Sequence, residues 1–308
     1  MTAIDDMPAV PPPPPPTGSI YDIGYRGYDG PRLGRRHAFG TLFVGGLRAT
    51  FGLGRSGRAK ILPAFCLAFP AISALVIVAM AAFASRFGIS DLGVIPGHPD
   101  MAGVVGTFVV ILVAVQAPEL LGRDVRYRVL SLYFSRALLR VDYALAKLAA
   151  LAVAALIVLL VPHVILTVGA VLLTSDVLGS LGDEAGFWPA ILGSTVVMAM
   201  AMAGVALVIA AFIARRSYAT VAIFAMFIVP AIIVGVVLVL ELGSASHYVV
   251  LLDVGTVIDA ANAWFFGVAP PDVWPIRTVP VSYGLVASIA IALGSSAILV
   301  QRYRTIAA

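Results

Sequence analysis

Residues 148–173 read LAALAVAALIVLLVPHVILTVGAVLL, a run with no Asp, Glu, Lys or Arg. As a helix rising 1.5 Å per residue it would extend about 39 Å, more than the roughly 30 Å of a bilayer's hydrocarbon core. Five further apolar runs have comparable length: 61–85, 101–121, 188–214, 217–240 and 281–301. Hydrophobic residues make up 61% of the 308 positions and charged ones 12%, about half the charged share of soluble domains. A soluble fold could not hide so much apolar surface, so the expected solvent is lipid. The expected class is an all-α membrane protein of six transmembrane helices.

The basic residues set the expected orientation. Eight precede the first run (Arg26, Arg32, Arg35, Arg36, Arg48, Arg55, Arg58, Lys60), and six lie between the second and third (Arg123, Arg126, Arg128, Arg136, Arg140, Lys147). Arg215 and Arg216 separate the fourth and fifth runs, and Arg302 and Arg304 follow the sixth. Only Arg86 and Arg277 fall in the other gaps. Under the positive-inside rule both termini are expected to be cytoplasmic, and the excess of Arg over Lys, 18 to 2, points to a bacterial chain and so to the bacterial inner (plasma) membrane. The net charge of +4 then reflects cytoplasmic arginine facing anionic lipid head groups or a protein partner, and nucleic acid is not an expected partner.

Three regions are expected. Residues 1–20 form a Pro-rich disordered tail carrying Pro11 to Pro16, without the apolar core of a cleavable signal peptide. Residues 21–59 form a cytoplasmic or interfacial segment. There Phe39, Leu42, Phe43, Leu47 and Phe51 recur at three- and four-residue spacing and predict an amphipathic helix lying along the membrane surface. Gly45 and Gly46 would weaken it by about 1 kcal/mol each relative to Ala, which makes them the point where it could break. Residues 60–304 hold the six spans, the third of them beginning near Asp142. Between the fifth and sixth, residues 241–280 carry Asp253, Asp259, Trp264 and Trp274. A seventh crossing would move Arg302 and Arg304 outside, so an external re-entrant helix pair is expected.

Catalytic signatures are sparse. Gly52-Leu-Gly54-Arg-Ser-Gly57 matches GxGxxG, yet an apolar span follows it where the dinucleotide fingerprint requires a strand–turn–helix unit. There is no GxxxxGK[ST], so ATP hydrolysis is not expected of this chain, and neither catalytic, cofactor-binding nor metal residues are assigned. Met198, Met200 and Met202 suggest copper(I), but only Met198 and Met202 share a helix face, and packing accounts for them better. Cys66, the single cysteine, excludes an intrachain disulfide. His163, the one histidine within a span, follows Pro162; it is either a substrate-path residue or a partner of the carbonyl that the proline frees or of a neighbouring helix.

The richest segment is 119–150, ELLGRDVRYRVLSLYFSRALLRVDYALAKLAA. Val125, Val129, Leu132 and Tyr133 fall at helical spacing, leaving Arg126, Arg128 and Arg136 for water or an acidic partner. Tyr133 and Phe134 are large, low-entropy side chains of the kind that anchor interfaces. A plain basic loop that only satisfies topology is the simpler reading.

The order PELL, an acidic–basic cluster, LSLYFSR, then DY and a Lys entering the next span resembles the permease subunits of type-2 ABC exporters. The N-terminal YDIGYRGYDGPRLGRR and the later FGLGRSGRAKILP are similar to actinobacterial members in particular. The resemblance runs from about Tyr21 to Arg304. It implies a coupling helix after the second span that docks on a separate ABC ATPase, with two permeases and two ATPases in the assembly. ATP and Mg would then bind the partner. The residues implied in coupling are Glu119, Arg123, Asp124, Arg126, Arg128, Tyr133, Phe134, Arg136 and Arg140. Two other readings stay open: a secondary carrier or channel not driven by ATP, and a membrane-embedded biogenesis factor.

Overall fold

The computed structural model describes residues 30, 33–87, 96–126, 133, 138–213, 215–240 and 243–305. The chain divides into two units, Met1–Leu33 and Gly34–Ala308, and every helix among the described residues belongs to the second. The Pro-rich tail and the tyrosine-rich stretch after it lie outside the described residues.

Eight α-helices and no strand occur among the described residues: α1 (Arg35–Thr50), α2 (Gly57–Arg86), α3 (Met101–Arg126), α4 (Arg140–Leu173), α5 (Val177–Phe212), α6 (Arg216–Val239), α7 (Val254–Phe266) and α8 (Ser282–Thr305). Six of them, α2 to α6 and α8, are long and apolar enough to cross a membrane. Helix is the expected outcome for such sequences, because in hydrocarbon each backbone N–H and C=O must find its partner within the segment. Prolines at 63, 70, 118, 162, 189 and 230 sit inside these helices, as spanning helices tolerate.

Helices α4 and α5 form the centre. Helix α4 packs against α1, α2, α3, α5 and α8, and α5 against α3, α6, α7 and α8. The most apolar stretches of α3, α4 and α5 are 56% buried, whereas those of α2 and α6 are 22% and 17% buried. The outer helices therefore carry the exposed Phe65, Phe69, Phe83, Ile228, Ile232 and Val236.

Helix α1 runs through Gly45 and Gly46 unbroken. The reason is tertiary: a Cβ on Gly46 would lie 2.9 Å from the Cβ of Ala150, so the glycine lets α1 approach α4 closely, while Gly45 faces open space. The GxGxxG stretch forms the turn from α1 to α2. Gly52 has φ +68, and a Cβ there would sit 2.5 Å from the Ala59 carbonyl oxygen, so its glycines serve the backbone.

Helix α4 begins at Arg140, close to the start near Asp142 expected for the third span, whereas α5 begins at Val177, well ahead of its apolar run at 188. Between α6 and α8, a 3₁₀ segment, Ser244–Leu252, meets α7 at a 95° bend. Asp253 stands at the corner and caps α7 by accepting from the amides of Gly255 and Thr256. The end of α8 lies beside the start of α4, where Arg140 Nη1 donates to the Arg304 carbonyl at 3.2 Å.

Candidate functional site

The flanks of segment 119–140 sit in a network of charge pairs at one end of the bundle. At the end of α3, Glu119 accepts from Arg55 Nη1 and pairs with Arg216 Nη1, each at 2.8 Å. Arg55 comes from the α1–α2 turn and Arg216 opens α6, so one carboxylate joins three elements.

One turn further on, Asp124 pairs with Lys147 at 2.8 Å and accepts from the Tyr143 hydroxyl at 2.7 Å. Lys147 also donates to the Leu120 carbonyl at 3.1 Å. Lys147 is 6% exposed and Tyr143 fully buried. An ammonium so far from water is tolerable only when its protons are taken up, and here a carboxylate and a carbonyl take them. The last turn of α3 and the first two turns of α4 are thus locked together across the intervening segment.

At the start of α4, the Asp142 carboxylate receives the Arg35 guanidinium through Nε and Nη2, both at 2.6 Å. It also accepts the Leu139 amide at 3.0 Å, closing the first turn of α4. The fork geometry of a guanidinium on a carboxylate fixes orientation as well as distance. The Asp142 carboxylate holds the Arg35 guanidinium above its ordinary value, chiefly through that hydrogen bond.

Three tyrosines complete the layer. Tyr143 packs against Tyr303 of α8 at 5.0 Å between ring centroids and against Tyr133 at 5.7 Å. Tyr133 is half-buried against the core, and burial together with the Asp124 carboxylate raises its hydroxyl above the usual range. Its ring therefore belongs at least in part to the bundle's own packing.

Of the residues implied in coupling, Glu119, Asp124, Tyr133 and Arg140 are brought into this layer. Arg123 and Arg126 lie on the last turn of α3 with side chains outside the described residues, as are Arg128, Phe134 and Arg136. The partners Arg35, Arg55, Asp142, Tyr143, Lys147, Arg216 and Tyr303 are not among the residues that sequence reasoning assigns to the site. One sequence signal does mark three of them: Asp142, Tyr143 and Lys147 are polar positions leading into the charge-free run 148–173.

His163 lies elsewhere. Its Nδ1 is 2.9 Å from Nδ1 of His98, and Nε2 of His98 is 2.9 Å from the Glu184 carboxylate. His98 belongs to a short 3₁₀ turn, His98–Asp100, just before α3, so this cluster and Asp124 occupy opposite ends of α3, about 35 Å apart. His163 thus bonds a neighbouring segment, one of the outcomes its position allows. Met198 and Met202 are buried, and Met198 shares a small cavity with His163. Among the described residues no three His, Cys, Asp or Glu side chains group as metal ligands would.

No family model matches the chain, and no curated protein matches it.

Proposed function

We propose that this chain is the membrane-spanning subunit of an ATP-driven exporter, paired with a separate ATPase that docks on residues 119–140. The observation that carries the reading is the wiring of that segment's flanks. Load applied between α3 and α4 reaches α1 through Asp142–Arg35, and α2 and α6 through Glu119. It reaches α8 through Tyr143–Tyr303 and Arg140–Arg304. A loop that only obeyed topology would need no such connections. A segment that must convert docking into helix tilt needs them, because charge pairs between packed helix ends hold discrete arrangements between which a partner can choose.

In this reading two copies assemble with two ATPases, and ATP and Mg bind the partner. The membrane is the bacterial inner membrane. The end that carries Arg35, Arg55, Arg140 and Arg216 faces the cytoplasm. Helix α1 lies at that interface, and the bent pair 244–266 is an external re-entrant element. Its arms support this: nine residues of 3₁₀ helix rise about 18 Å and thirteen of α-helix about 20 Å, each short of a crossing. The end of α8 beside the start of α4 supports it too, since a crossing by the pair would send Arg304 to the other end.

The test is affinity purification of the tagged full chain from its native membrane in mild detergent, followed by ATPase assay. The expected result is a stoichiometric P-loop ATPase and ATP turnover in the eluate. Its absence overturns the reading. A proton-driven carrier is the second reading, favoured by the polar chain Glu184–His98–His163 within the bundle.

A further inference from the structure

At the end of the bundle away from Glu119 and Asp124, three titratable side chains form an unbroken line: Glu184 of α5, His98 of the 3₁₀ turn and His163 of α4. His98 and His163 are 7% and 4% exposed, and the Glu184 side chain 14%. The 3₁₀ turn is further held to α7, where Asn262 Nδ2 donates to the Pro99 carbonyl at 2.8 Å.

The donor directions follow from the chemistry. An ionised Glu184 only accepts, so His98 Nε2 carries its proton and donates. His98 Nδ1 then holds a lone pair and accepts from His163 Nδ1–H. That leaves a lone pair on His163 Nε2.

His163 lines a small cavity with Met101, Ser194, Thr195, Met198 and Asn262. Both hydroxyls of this lining donate to the Ile191 carbonyl, at 3.3 Å from Ser194 and 2.6 Å from Thr195. They therefore turn lone pairs to any ligand. The thioethers are weak acceptors, and the Asn262 amide already spends one proton on Pro99. With Glu184 ionised, the cavity wall is dominated by acceptors.

We propose that Glu184, His98 and His163 form a proton-switched hydrogen-bond chain that sets whether this cavity offers its ligand an acceptor or a donor at His163. The ligand class is a small hydrogen-bonding molecule, in the first instance a single water, which the cavity has room for. One proton from the medium enters through the cavity and adds at His163 Nε2, the His163 Nδ1 proton crosses to His98 Nδ1, and the His98 Nε2 proton crosses to the Glu184 carboxylate. The new carboxylic O–H then donates to His98 Nε2, His98 Nδ1–H donates to His163 Nδ1, and His163 Nε2–H serves the cavity. The chain holds two protons before and three after, and each imidazole keeps one throughout. A single uptake thus reverses every bond in the line.

Other charged groups lie at this end of the bundle. Asp100 accepts the Gly97 amide in its own turn, and Asp253 caps α7. Asp176 caps α5, and Arg86 is exposed at the end of α2. Asp183 precedes Glu184, and Asp259 lies one turn before Asn262. Between Met101 and Gln116, α3 carries no charge. The inference holds for an exporter or a carrier, and its failure leaves either standing.

The test is nitrogen NMR of histidine-labelled full-length protein in lipid nanodiscs through an acidification series, reading the tautomer of each ring. The expected result is that His98 and His163 exchange tautomers together at one midpoint, without passing through imidazolium. Glu184→Gln should hold both rings in one tautomer throughout, and His98→Phe should abolish the response of His163. Should either variant misfold, the wild-type series decides alone. Separate midpoints, a doubly protonated ring at either position, or no tautomer change overturns the proposal.

Discussion

Arg35 and Asp142, 107 residues apart, meet through two parallel hydrogen bonds of 2.6 Å, which ties the first turn of α1 to the first turn of α4. Arg35 keeps more than half of its side chain exposed while Asp142 is buried, so the contact anchors a surface helix to an inner one. If the pair acts as a unit, Arg35→Ala lowers the melting temperature of the wild type but adds nothing once Asp142 is alanine. A double-mutant cycle in nanodiscs reads this, and simple additivity would refute the coupling.

Adjacent glycines should respond in opposite directions. Gly45 meets open space on an exposed helix face, and Gly45→Ala should stabilise by about 0.5–1 kcal/mol. Gly46→Val should cost about 1–3 kcal/mol, because its side chain must displace Ala150. Adding Ala150→Gly should restore part of that loss. Equal effects at the two positions would show that α1 does not rest on α4 there.

Glu119 should matter more than either of its arginines. Glu119→Gln leaves two guanidiniums facing an uncharged group and should cost on the order of 2 kcal/mol. Arg216, with 60% of its side chain exposed, should cost less than about 1 kcal/mol when truncated. Denaturation midpoints of the purified variants give the order, and a larger loss at Arg216 would contradict it.

Orientation is checked by labelling. With Cys66 buried, single cysteines introduced at Ser56 and Ser217 should be shielded from an impermeant thiol reagent in intact cells. Cysteines at Ser90 and Ser244 should react. Reaction at Ser217 from outside would overturn the six-crossing arrangement.

On the proposed function, docking would turn on the two aromatics. Phe134→Ala should weaken ATPase retention by about 2 kcal/mol, roughly thirtyfold, with the bundle intact. Tyr133→Ala should also lower thermal stability, since that ring packs on Tyr143. Arg136→Ala should chiefly slow association. Full ATPase retention by the Tyr133→Ala, Phe134→Ala double variant would place the docking site elsewhere.

Much of the fold is legible along the chain, and the points where sequence and structure part share one cause. The apolar run of the fourth span begins only after Asp183 and Glu184, yet α5 extends back through them to Val177. Lys147 is answered by Asp124, Asp142 by Arg35 and Glu184 by His98, so charges that look like boundaries are interior once paired. The pair Gly45–Gly46 is a weak point on propensity alone, and a neighbouring helix makes it continuous.

Composition and order by themselves determined the all-helical class, the six long apolar helices and the clustering of basic residues in alternate gaps. Those properties depend on the transfer of local apolar surface and on backbone groups bonding within their own segment. Only the tertiary structure decided which acid meets which base. Glu119 finds Arg55 across 64 residues, Asp142 finds Arg35 across 107, and His163 finds His98 across 65. Such pairings are set by which helix faces pack together, and no spacing along the chain encodes that directly.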